Sequence, residues 1–325
     1  MRAVLCKAWG PPESLVVEDV PSPRAAAGQI VVAVKACGVN FPDTLIIQGK
    51  YQVRPELPFS PGGEVAGLVK EVGEGVRDFR EGDAVIAFAG YGGYAEEMRV
   101  DASRAVAMPA GVEFSVAAAF VVTYATTHHA LEDVARLQAG ETLLVLGAAG
   151  GTGLAAVELG HLAGARVIAA ASSEEKLRTC AERGAAAGIN YEKEDLREAL
   201  RALTGSRGVD VVYDPVGGKH AEPAFRSTGW RGRYLVIGFA SGEIPKFPLN
   251  QALLMERRIL GVYWGESTRR DPEASRAGVM ELTDRLASGK LRPYVSATYP
   301  LERAAQALQD LMARKVQGKV VLLTG

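Results

Sequence analysis

The stretch that decides the fold is Thr142-Leu143-Leu144-Val145-Leu146-Gly147-Ala148-Ala149-Gly150-Gly151-Thr152-Gly153. Four consecutive large apolar residues, 143–146, read as a short strand covered on both faces. They run into a glycine-rich turn, and the segment 152–164 that follows reads as a helix. Strand, glycine turn and helix in that order are the context in which glycine spacing points to a dinucleotide. The usual G-x-G-x-x-G spacing falls here on Ala148-x-Gly150-x-x-Gly153, with alanine at the first position. Gly150 lets the backbone approach a pyrophosphate, and Gly153 lets the helix pack tightly on the strand. The helix N-terminus, at Gly151 and Thr152, offers unpaired N–H groups and a positive dipole end to the phosphates.

Working outward, strands at 167–171, 209–213 and 234–237 alternate with helices at 174–184 and 195–204. Such alternation builds β-α-β units and a doubly wound parallel sheet, an α/β Rossmann domain. An NAD site wants an acid about 20 residues after the glycines, at the end of the second strand. That strand instead ends Ala171-Ser172-Ser173, with Lys176 a turn later, and Tyr191 ends the third. Two hydroxyls and a basic side chain suit the extra phosphate of NADP, so Ser172, Lys176 and Tyr191 are candidates for the adenosine end. Ser172-x-x-Glu175 also fits a helix capping box. Glu174 and Glu175 are awkward neighbours for a dianion.

Upstream, the chain is punctuated by Gly and Pro, with short apolar runs at 30–36, 65–69 and 84–89 between turn-forming clusters. This reads as a twisted β domain. Helices are expected at 115–131, 273–287 and 301–314, with a closing strand at 319–323. The 325 residues suffice for two cores, and the net charge is −1, which argues against nucleic acid as the main partner. Three widely spaced cysteines make no zinc ribbon or disulfide framework. No apolar run is long enough for a membrane span, and the first residues lack a signal-peptide pattern, so a cytoplasmic protein is expected.

Several motifs together resemble the medium-chain dehydrogenase/reductase superfamily, and within it the zinc-free quinone oxidoreductases related to zeta-crystallin. They are Gly38-Val39-Asn40-Phe41-Pro42-Asp43, Gln48-Gly49-Lys50-Tyr51, Pro58-Phe59-Ser60-Pro61-Gly62-Gly63-Glu64-Val65-Ala66-Gly67, Gly82-Asp83-Ala84-Val85, the glycine loop, and Gly318-Lys319-Val320-Val321-Leu322. The resemblance implies a GroES-like, mainly β catalytic domain at 1–122 and 265–325, and an NADP-binding Rossmann domain at 123–264. Zinc-dependent relatives carry Cys where this chain has Asn40, and Gly-His-Glu where it has Gly62-Gly63-Glu64. A catalytic zinc needs three side-chain ligands, so a metal-free enzyme is expected. By the same resemblance, Asn40, Asp43 and Tyr51 line the catalytic cleft, with Asn40 and Tyr51 as hydrogen-bond donors to a developing oxyanion. Asn and Asp also favour the turn after a strand. Thr126, Phe239 and Ser241 match positions along the nicotinamide side, and Arg314 a third group at the 2′-phosphate.

The implied activity is metal-free hydride transfer from NADPH to a quinone. The alternatives are reduction of an activated C=C bond in an enone or enoyl substrate, or a non-enzymatic NADPH-binding role of the crystallin or RNA-binding kind. The apolar run 258–264 reads as an edge strand. It is either paired with a second copy in a homodimer or shielded by Trp264 and the loop bearing Arg269 and Arg270.

Overall fold

The run 143–146 lies inside a six-stranded, all-parallel sheet. In chain order the strands of the protein are β1 (Arg2–Leu5), β2 (Val16–Asp19), β3 (Gln29–Val39), β4 (Glu64–Val72), β5 (Ala84–Phe88), β6 (Glu97–Asp101) and β7 (Ala105–Ala107). They continue as β8 (Thr142–Leu146), β9 (Arg166–Ala171), β10 (Ala187–Asn190), β11 (Val209–Asp214), β12 (Thr228–Val236), β13 (Arg258–Gly261), β14 (Val295–Pro300) and β15 (Lys319–Leu323). This computed structural model describes residues 1–325, which divide into two units: 1–122 with 279–325, and 123–278. The second junction falls inside the helix Pro272–Ala287, whereas the sequence suggested 264/265.

In the unit 123–278 the strand order is β10-β9-β8-β11-β12-β13. Numbered within the unit this is 3-2-1-4-5-6, the doubly wound order whose direction reverses between β8 and β11. Leu143, Leu144, Val145 and Leu146 are all buried, as a central strand covered on both faces requires. Truncating any of these leucines to alanine would cost about 2–5 kcal/mol. Helices Gly151–Leu162, Glu174–Glu182, Leu196–Thr204 and Ala221–Arg226 make the crossovers.

In the other unit a seven-stranded sheet runs β14-β15-β3-β4-β5-β7, with β6 paired to the first half of β3. All pairs but β14–β15 are antiparallel. Registers place Gly38 opposite both Glu64 and Val321, so the end of β3 and the starts of β4 and β15 meet at one edge of the barrel-like sheet. Gly38 is required there: a Cβ would stand 2.1 Å from the Ala118 carbonyl oxygen and 2.5 Å from Glu64 Oε1.

Three expectations change. The helix expected at 115–131 is two helices, Phe114–Ala117 and Val121–His128, followed by a π-turn over His129–Val134. The helix expected at 301–314 is a single 3-10 turn, Leu301–Arg303, and a helix, Ala304–Met312. The edge strand stops at Gly261, because Trp264 opens the helix Trp264–Arg270, so Arg269 and Arg270 are helical rather than in a loop.

Candidate active site

At the carboxyl end of β8 the chain turns on Gly147, whose φ of +56° is left-handed. The tight-turn task that Ala148 cannot perform is therefore done one residue earlier. Gly150 then caps the helix Gly151–Leu162, and no side chain caps it. The first backbone bond into the helix runs from Leu154 N–H to the Gly150 carbonyl. The N–H groups of Gly151, Thr152 and Gly153 are thus left for a ligand at the positive end of the helix. Gly153 fits only as glycine, since a Cβ would lie 2.3 Å from the Gly147 carbonyl oxygen.

One strand over, Ser172 follows β9. Its hydroxyl accepts from Lys176 Nζ at 3.1 Å. The helix cap is Ser173, which accepts from Lys176 N–H at 3.3 Å, so the cap expected at Ser172 sits one residue later and Ser172 Oγ stays with the lysine. The pairing of Asn190 with Ala171 brings Tyr191, the residue after β10, beside Ser172. Glu174 is held ionised but paired: Asn190 Nδ2 at 2.9 Å and Lys193 Nζ at 3.3 Å hold its carboxyl below the ordinary range. Sequence reading could not show those partners.

Phe239 and Ser241 lie after β12 at the same carboxyl end, on a loop laced to the turn after β11. Ala240 N–H donates to the Pro215 carbonyl at 3.0 Å and Ser241 N–H to that of Val216 at 2.9 Å. Asp214 Oδ1 holds that turn through Val216 and Gly217 N–H at 2.7 and 2.9 Å. Thr126 is half-buried on the helix Val121–His128. The next residue, Thr127, ties that helix to Tyr213 Oη at 2.8 Å and to the Thr152 carbonyl at 3.4 Å. Tyr124 donates to the buried Glu158 at 2.6 Å, a packing role. Arg314 is exposed, just past the helix Ala304–Met312, and belongs to the other unit from Ser172, Lys176 and Tyr191.

In the unit 1–122 with 279–325, the sheet edge at Gly38 gathers a buried polar cluster. Lys319 Nζ donates to Glu64 Oε1 at 2.7 Å, to the Val39 carbonyl at 2.9 Å and to Asn40 Oδ1 at 2.5 Å. Asn40 Nδ2 donates to Glu64 Oε1 at 2.9 Å, and Val122 N–H to Glu64 Oε2 at 2.8 Å. Glu64 is fully buried and Lys319 is 5% exposed, so this is an internal ion pair with all three ammonium protons used. Asn40, expected as an amide donor to substrate, spends that amide on Glu64. The pair was missed in sequence because Glu64 and Lys319 lie 255 residues apart; each stood in a quoted motif, and only the β3 register joins them.

Asp43 completes a capping box on the helix Phe41–Ile46 that Asn40 caps. Its Oδ2 accepts from Asn40 N–H at 2.8 Å and Tyr94 Oη at 2.9 Å. Burial pushes its carboxyl up to about 6, against the pull of those two donors. Tyr51, half-buried, packs against the core of this unit. A zinc ion does not fit these residues. Gly63 has no side chain, and Lys319 already supplies a cation to Asn40 and Glu64. No three His, Cys, Asp or Glu side chains are grouped so as to hold one.

A doubly wound sheet with this glycine turn, in one chain with a GroES-like β unit, defines a medium-chain dehydrogenase/reductase. Residues 26–110 match the alcohol dehydrogenase GroES-like domain family, and residues 151–282 the zinc-binding dehydrogenase family. The chain is 40% identical to the quinone oxidoreductase-like protein 2 homolog of Nematostella vectensis, over 99% of this chain and 89% of that one. It is 34% identical to the quinone oxidoreductase of Rattus norvegicus, over 99% and 98%. The solved structure of Escherichia coli quinone oxidoreductase complexed with NADPH superposes with a TM-score of 0.92, at 30% identity and full coverage of both chains. The chain belongs to the quinone oxidoreductase family of this superfamily and is an oxidoreductase.

Proposed function

We propose that the protein is an NADPH-dependent reductase that passes hydride to a quinone without a metal. The observation that carries this is the Ser172–Lys176 pair standing where an NAD enzyme keeps an acid. The E. coli relative, solved with NADPH, supports the same cofactor. The N–H groups of Gly151, Thr152 and Gly153 hold the pyrophosphate. Ser172 and Lys176 hold the 2′-phosphate beside Tyr191, and Thr126, Phe239 and Ser241 line the path toward the nicotinamide. Bound NADPH supplies the hydride.

On the acceptor side, Tyr51 is the hydrogen-bond donor to the developing phenolate-like oxygen. Asp43 and Asn40 have a positioning role: Asp43 accepts from Asn40 N–H at the start of the helix Phe41–Ile46, and the Asn40 amide joins the Glu64–Lys319 pair at the end of β3. Without a Lewis acid to polarise an alcohol, an acceptor that is already electrophilic is required. NADPH oxidation should be measured with a panel of benzoquinones, naphthoquinones and enones. Turnover with quinones above that with enones is expected. Turnover with enones alone would replace this reading by C=C reduction, and none with either would point to a binding role.

We further propose a homodimer through β13. This strand pairs only with β12, leaving its other edge unpaired. Ile259, Tyr263, Leu249, Leu253 and Leu254, on or near it in sequence, are exposed apolar side chains. An unpaired apolar edge is a self-association surface, and a two-fold pairing covers it on both copies at once.

A further inference from the structure

At the nucleotide end, the turn after β11 makes one contact that has no part in the function proposed above. After β11 the chain turns through Gly217 and Gly218, both at positive φ, into a 3-10 turn ending at His220. The His220 imidazole lies against the Tyr191 ring with centroids 4.2 Å apart and planes at 39°. The adjacent residues repeat the link, Lys219 Nζ standing 3.9 Å from Glu192 Oε1. Two consecutive residues after β11 therefore hold two consecutive residues after β10. Between β10 and β11 in the sheet lie β9 and β8, whose carboxyl ends carry Ser172 and the glycine turn. The tie spans the side of the crevice where ligands bind in such sheets.

We infer that His220 is a positioning residue for the adenosine half of the dinucleotide, acting by pinning the Tyr191 ring beside Ser172 and Lys176. This rests on the dinucleotide reading above. A tyrosine ring free to turn must be ordered when the purine arrives; one already stacked has met that cost beforehand. An aromatic pair stabilises by about 0.5–1.5 kcal/mol beyond area burial, which sets the effect on affinity at about 2- to 13-fold. The contribution comes from the ring, so phenylalanine can replace the imidazole and alanine cannot.

The test uses the full chain and calorimetric titration with adenosine 2′,5′-bisphosphate, with no turnover involved. His220→Ala should weaken binding within that range while the variant stays fully folded at the titration temperature, as read by circular dichroism. His220→Phe should bind within about twofold of wild type, since it keeps the stack. In a Tyr191→Ala background the further change His220→Ala should have no effect, because the residue it acts through is gone. Unchanged binding by His220→Ala, no rescue by His220→Phe, or full additivity with Tyr191→Ala would each overturn the inference while leaving the cofactor reading intact. A folded wild type that does not bind the bisphosphate would overturn both.

Discussion

Removing the ammonium from the buried pair is the sharpest test of how the β unit is built. Lys319→Met would leave the fully buried Glu64 carboxylate with only Asn40 Nδ2 and Val122 N–H as donors. Breaking a buried pair on one side costs about 3–5 kcal/mol, because the remaining charge is uncompensated. For a unit of this size each kcal/mol moves the thermal midpoint by about 2–4 °C, so a fall of about 6–20 °C is expected. The pair itself is a different matter: its Coulomb attraction is offset by the desolvation of both charges. Glu64→Gln with Lys319→Met should therefore recover most of the loss, ending within about 2 kcal/mol of wild type.

The single variant also carries a pH signature. With the cation gone, burial disfavours the charged form, which in this variant raises the carboxyl's folded pKa above the unfolded value. The carboxyl then favours folding at low pH and loses that advantage as pH rises through the raised value. The deficit of Lys319→Met against wild type should shrink on going from pH 8 to pH 5, read by circular dichroism melts. A double variant as unstable as the single one, or a deficit independent of pH, would refute the reasoning.

Asp43 gives a second pH effect. With its carboxyl pushed from 3.8 up to about 6 by burial, the folded state prefers the protonated form. That preference is fully present below about pH 4 and is lost as pH rises to about 6, a swing of about 3 kcal/mol. The stability of wild type minus that of Asp43→Asn, from urea unfolding, should fall by about that amount between pH 4 and 7.5, and a flat difference would contradict the burial argument. Lys176→Ala should raise KM for NADPH far more than for NADH; equal effects on both cofactors would move the 2′-phosphate elsewhere. Light scattering should give twice the 34.4 kDa chain mass, reduced toward one chain by Ile259→Pro, which removes a donor from the free edge of β13, the N–H groups of Leu260 and Val262 facing β12. A wild-type mass of one chain at micromolar concentration would end the dimer proposal.

The parallel sheet was legible because its signals are local. An apolar run and its glycine turn lie within 12 residues, and period and turn chemistry suffice to place them. The glycine that makes the turn was misassigned by one position, since spacing does not show that Gly147 carries the positive φ. The helix cap slipped from Ser172 to Ser173 for a similar reason: two adjacent serines differ only in which hydroxyl reaches Lys176 N–H. The polar cluster was the least legible part. Asn40 could be marked as interesting, but its amide's direction is set by Lys319 and Glu64, which three strands bring together from distant parts of the chain. The link between His220 and Tyr191 was likewise out of reach, because it depends on how two crossover connections meet above the sheet.

The claim that most needs a direct measurement is hydride transfer from NADPH without a metal. Protein purified without added zinc should be analysed for metal content, treated with a chelator, and assayed for NADPH oxidation with a quinone before and after. Substoichiometric zinc and an unchanged rate are expected. One tightly held zinc per chain, with activity lost on chelation and restored by the metal, would contradict the account.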